Sequence, residues 1–78
     1  MKVKLNIQHM PTHFMWESKE TEIDEEDYNA FVQNIVNVTN TEDSTLRFDS
    51  LFGGKVIIPP NITKQCVVTV HKVQNSPI

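Results

Sequence analysis

Hydrophobic and polar residues alternate without a break through Lys2-Val3-Lys4-Leu5-Asn6-Ile7-Gln8, with Val3, Leu5 and Ile7 on one side. That period belongs to a half-buried strand. Pro11, between His9 and His13, has no ladder donor and turns the chain. A second strand is expected over about His13 to Ile23, with Phe14 and Trp16 on one face. Its later half, Glu17 to Glu22, is mostly charged, which fits an edge or a solvent-facing extension. The period then becomes helical. Tyr28, Phe31, Val32, Ile35 and Val36 share one face, and Asn29, Gln33, Asn34 and Asn37 take the other. Asp24 is the expected cap, and Glu25, Glu26 and Asp27 place negative charge in the first turn. Ile23 and Tyr28 fall at the two positions of a hydrophobic staple. The helix is expected to stop within Asn37-Val38-Thr39-Asn40, and Thr41 to Ser44 read as a loop.

Beyond that loop, Leu46, Phe48 and Phe52 alternate with Arg47, Asp49 and Leu51. Gly53-Gly54 fits the corner of a two-residue hairpin, with Lys55 to Ile58 returning. Pro59-Pro60 ends that strand because neither residue donates a ladder bond, and Asn61 to Lys64 connects onward. Gln65 to Val73 is the last strand, with Cys66, Val68 and Val70 on one face and Val67, Thr69, His71 and Val73 on the other.

The order β-β-α-β-β-β predicts an α+β domain, one helix packed on one face of a four- or five-stranded, mostly antiparallel sheet. One domain is expected over residues 1–78, with 74–78 frayed. Composition agrees: Val, Ile and Thr fill 23 positions against a single alanine, Ala30, so strand should exceed helix. A single helix leaves the other sheet face to be polar or to find a partner. That face is not cleanly polar, since the last strand is apolar on both sides and Ile57 and Ile58 must point opposite ways.

Charge and candidate chemistry narrow the functions. The formal net charge is -3 and no basic stripe carries interleaved aromatics, which disfavours nucleic acid. His9, His13, His71 and Cys66 lack the paired spacing of a zinc site, so no metal and no cofactor is expected. Cys66 has no neighbouring base, and nothing resembles a nucleophile elbow; the chain is not expected to be an enzyme. Gly53-Gly54-Lys55 joins two strands, whereas a phosphate loop leads into a helix. The sequons at Asn37 and Asn61 are coincidental without a secretion signal. With one cysteine and no membrane-length apolar run, the chain reads as soluble and cytoplasmic.

Two features point to a protein partner. Seven of the ten carboxylates lie between Glu17 and Asp27, so Glu22, Glu25, Glu26 and Asp27 form a candidate acidic patch for a basic partner. Met15, Trp16, Val67 and Val73 are candidate apolar contacts, because tryptophan and methionine favour interface cores and these strands are apolar on both faces.

The lysine-rich opening strand, the Asp24-Glu25-Glu26-Asp27-Tyr28 helix start and the Phe52-Gly53-Gly54-Lys55-Val56-Ile57-Ile58-Pro59-Pro60-Asn61-Ile62 segment resemble small proteins of phages and mobile elements of Gram-positive bacteria. The likeness is one of layout, with no catalytic residues to carry over. It implies binding and modulation of a host protein in the bacterial cytoplasm. The expected function is therefore a non-catalytic, homodimeric protein-binding module. The alternative is a small-molecule or nucleotide-binding protein with its site at a subunit interface. There Lys4, Arg47, Lys55, Lys72 and the histidines would meet phosphate.

Overall fold

Strand β1 (Lys2–His9) is the spine of the fold. In the computed structural model, which describes residues 1–73, it pairs antiparallel along its whole length with β6 (Cys66–Val73). Its other side is shared by β2 (Phe14–Glu17) and β3 (Thr21–Glu22). Flanked on both sides, β1 sinks Val3, Leu5 and Ile7 into the core as the alternation predicts, Val3 and Ile7 with 0% of their surface exposed. The molecule is a small α+β domain: a helix, a mostly antiparallel four-stranded sheet and a second, two-stranded sheet. The fraying expected at 74–78 lies outside the described residues.

The single strand expected over His13 to Ile23 is instead two short ones. Asn6 pairs with Glu17 and Val3 with Thr21, so the outer strand spends one extra residue over that stretch, which is a β-bulge. Ser18 fills the break. Its buried hydroxyl accepts the Leu5 N–H at 2.7 Å and donates to the Lys19 carbonyl at 3.0 Å, while its own N–H donates to the Leu5 carbonyl at 2.9 Å. A side chain thus takes the place of a ladder partner.

The same bulge ties the second sheet to the first. Ser18 bridges Ser50, the Lys19 N–H donates to Asp49 and the Leu51 N–H to Glu17. Strands β4 (Leu46–Asp49) and β5 (Lys55–Ile58) form a hairpin whose last pair is Asp49 with Lys55. Its loop is five residues, 50–54, and not the two-residue Gly53-Gly54 corner. Asp49 and Leu51 are bonded to Lys19 and Glu17, and β4 ends earlier than expected, at Asp49, with the Ser50 N–H donating to the Gly54 carbonyl at 2.9 Å. Both glycines are left-handed, at φ 96° and 80°.

The helix begins as a tight 3₁₀ turn over Glu25–Asp27 before becoming α1 (Tyr28–Asn40). Asp24 sits at the cap position but makes no side-chain cap bond; only its carbonyl, accepting the Asp27 N–H at 2.9 Å, closes the turn. The end falls where expected, because Thr39 and Thr41 donate their hydroxyls to the carbonyls of Ile35, Val36 and Asn37. A helical turn, α2 (Pro60–Thr63), is an addition to the expected layout: Pro60 is pre-set for a first helical position and buried Thr63 bonds the Ile58 and Pro59 carbonyls.

Leu5, Ile7, Leu46 and Ile58 form the buried centre. Helix α1 lays Phe31, Ile35 and Val38 against it, while Val36, expected inward, is exposed. The inner sheet face is therefore covered jointly by α1 and the β4–β5 hairpin, not by the helix alone.

Candidate protein-binding surface

Cross-strand pairing orders the reverse face of the sheet into rows. Met15, Gln8 and Val67 form the row nearest the β1–β2 turn, followed by Glu17, Asn6 and Thr69, then Lys4 and His71, then Glu22, Lys2 and Val73. Only the first row is substantially apolar, with Met15 and Val67 about half exposed. The expected run of apolar side chains over this face is thus confined to one end. The reason is β1, whose outward residues Lys2, Lys4, Asn6 and Gln8 are all polar and divide the apolar positions of β2 from those of β6.

The structure parts the four apolar candidates. Met15 and Val67 share a row, Val73 is half-buried at the far end, and Trp16 faces the core opposite Ile7. There its ring meets Phe14 at 4.9 Å between centroids, tilted by 60°, a favourable aromatic geometry. Ile57 and Ile58 do split as expected, Ile58 into the core and Ile57 into solvent. The most exposed large hydrophobic among the described residues was not singled out in the sequence: Phe52, at the tip of the 50–54 loop, is 94% exposed beside Leu51. In sequence it reads only as the last residue of a strand-like alternation.

Glu25, Glu26 and Asp27 stand exposed on the 3₁₀ turn, and Glu22 binds the N-terminal ammonium at 3.1 Å. This acidic corner lies at the end of the sheet holding Met1 and Val73, opposite the Met15–Val67 row. Next to it, Lys72 reaches over the Tyr28 ring, its ammonium 4.5 Å from the centroid.

The basic residues and histidines gather only in part: Lys4, Lys19 and Arg47 border one pocket, and the rest lie elsewhere. Lys4 pairs with His71 on the reverse face, Arg47 with exposed Ile57 on the outside of the hairpin, and Lys55 holds Asp49 at 3.0 Å. His9 bonds Thr12 and Gln65, and His71 bonds Asn6. A pocket of about 240 Å³ opens between α1, the bulge and β4, lined by Phe31, Ile35, Phe48, Ser18 and Lys19 among others. That is below the roughly 300–1,000 Å³ of ordinary ligand sites. Among the described residues no three His, Cys, Asp or Glu side chains gather as metal ligands, and no helix is long and apolar enough to cross a membrane. Burial pushes the Cys66 thiol above its ordinary pKa, and its Sγ donates to the Ile62 carbonyl at 3.3 Å, so it is held as the weakly nucleophilic thiol.

No family model, curated protein or solved structure matches this chain.

The most open feature of the surface is a strand edge. The Met10 N–H donates to the Gln65 carbonyl, which fixes the phase of the β1–β6 ladder. Val67, Thr69, His71 and Val73 therefore turn their backbone groups toward β1, and Cys66, Val68, Val70 and Lys72 turn theirs away. Among the described residues no strand pairs with that outward side. Few of the devices that usually protect an edge are present: β6 has no proline and no bulge, and its single lysine, exposed Lys72, is engaged over the Tyr28 ring.

Proposed function

We propose that the chain is a non-catalytic protein-binding module that recruits its partner by adding a strand to β6. The observation that carries this reading is the open edge of β6, where the outward backbone donors and acceptors of Cys66, Val68, Val70 and Lys72 have no partner strand among the described residues. Val67, at the start of β6, supplies an apolar anchor, with Met15 in the same row beyond β1, and the exposed acidic turn at Glu25, Glu26 and Asp27 adds a steering charge. In its finer form the module is phage-encoded and modulates a host protein in the bacterial cytoplasm, a form supported by the layout resemblance alone. Small-ligand binding has less to support it: of its proposed phosphate contacts only Lys4 and Arg47 border a common pocket, which is small, while Lys55 and Lys72 are engaged elsewhere.

Capture experiments with purified bait test the reading. A partner should be retained by the native chain and lost when Val67→Lys and Met15→Lys are introduced together. Reversing Glu25, Glu26 and Asp27 to lysine should weaken capture at low salt and leave it unchanged at high salt, as steering requires. Retention that ignores both sets of substitutions would remove the edge and the acidic turn from the function.

A further inference from the structure

The geometry points to a second copy of this chain as an occupant of the β6 edge, paired antiparallel about a two-fold axis through Thr69. The inference rests on the strand-addition reading and specifies the strand that is added.

The outward residues of β6 are Cys66, Val68, Val70 and Lys72, and they are symmetric about Thr69. An antiparallel partner engages an outward residue only opposite another outward residue. Within the described strand, the axis at Thr69 is the register that engages all four, placing Cys66 opposite Lys72 and Val68 opposite Val70. Moving the axis to Val70 loses the outward groups of Cys66, and moving it to Val67 drives the second copy into α2. A closed, isologous contact follows directly.

Side chains agree with that register. Thr69 meets Thr69, a favourable cross-strand pair, and His71 meets Val67. No like charges face each other, because Lys72 lies opposite Cys66. The same register carries Lys64 of the second copy, two residues before Cys66, toward the sheet end that holds Tyr28 and the acidic turn. Exposed Lys64 and the exposed carboxylates of Glu25, Glu26 and Asp27 are thus complementary in charge at the same end of the paired sheets, on each side of the axis.

The Thr69 pair is a non-hydrogen-bonded one, so its Cα atoms come about 4.5 Å apart, inside the roughly 4.4–6.8 Å that a disulfide spans. In a Cys66→Ser background, Thr69→Cys should cross-link nearly all of the protein into a covalent dimer under mild oxidation. Val67→Cys alone should not, since the two copies of residue 67 are about 13 Å apart, four strand residues of roughly 3.3 Å each. Mixing Val67→Cys with His71→Cys chains should restore the cross-link. Hydrogen exchange supplies a readout without substitutions. The outward amides of Val68 and Val70 should gain protection as concentration rises, while the inward amides of Val67, Thr69 and His71, bonded to β1, stay protected throughout and report folding. Fast exchange at Val68 and Val70 at every concentration, with no Thr69→Cys dimer, overturns the proposal. If those two amides become protected only when a different protein is added, the second copy is refuted while strand addition at β6 stands.

Discussion

Strand β1 and helix α1 carry equally regular hydrophobic patterns, yet only the strand converts its pattern into full burial. Val3, Leu5 and Ile7 are closed off on both flanks, by β6 on one side and by β2 and β3 on the other. No residue of α1 is fully buried, and its outer side, with Asn29, Gln33, Asn34 and Asn37, is uncharged. Period alone tells which residues share a face. Depth depends on how many neighbours that face has, and α1 has one layer beneath it and solvent around it.

Truncations should expose the difference most strongly. Ile7→Ala empties a fully enclosed site and should cost about 2–5 kcal/mol, comparable to the roughly 3–5 kcal/mol a core of this size supplies. Ile35→Ala, at the half-buried centre of α1, should cost less than half as much, because water already reaches the side chain and the helix is free to settle. Urea midpoints read at constant slope measure both. Equal losses would mean that α1 is as integral as β1. Native-state exchange should place α1 amides on the low-energy openings and β1 amides on global unfolding.

The next largest effect belongs to the join between the two sheets. Ser18→Ala leaves the buried Leu5 N–H without its 2.7 Å acceptor, at a cost of about 1–3 kcal/mol. The loss should appear in the denaturation midpoint, with faster exchange localised at Leu5. If Ser18→Ala is neutral, the backbone has re-paired across the bulge and the serine is replaceable.

Ser18 also marks where sequence reading stops. The alternation of Lys2 to Gln8, the helical spacing of Tyr28 to Ile35 and the double proline after Ile58 are local signals, and each produced its element. The bulge is non-local: one extra residue between Glu17 and Thr21 has meaning only against the spacing of Asn6 and Val3 across the ladder. The five-residue loop accompanies the Ser18–Ser50 bridge, again a long-range bond, in place of a locally sensible two-glycine turn. For the candidate surface, Met15 and Val67 were legible as apolar residues out of place, but not as neighbours, since Gln8 joins them from a third strand. Trp16 and Met15 are adjacent in sequence and face opposite ways, and the pairing of Trp16 with buried Ile7 across the ladder decides which turns inward. The outward phase of β6 belongs to the whole β1–β6 ladder and is visible in the bond from Met10 to Gln65, which no local pattern announces.

The smallest expected effect lies at Cys66, where β6 begins, and it separates a structural thiol from a reactive one. The protonated thiol donates to the Ile62 carbonyl, and burial raises its pKa in the folded chain above the roughly 8.5 of an exposed cysteine. Below that pH both states hold the proton and the contribution to stability is complete. As pH rises past it, the unfolded chain gives up the proton first. The unfolded state then binds fewer protons than the folded one, and stability falls until the folded thiol ionises as well. Comparing the native chain with Cys66→Ser cancels the titration of every other group. The difference in unfolding free energy should be flat from about pH 6 to 8 and should shift against the native chain above about pH 8.5, in step with an alkylation rate that stays below that of the urea-unfolded chain. A difference that remains flat through the alkaline range would mean that the thiol is as solvated as in the unfolded chain. The start of β6 would then open as readily as α1 frays, contrary to the rigidity assigned to the β1–β6 ladder.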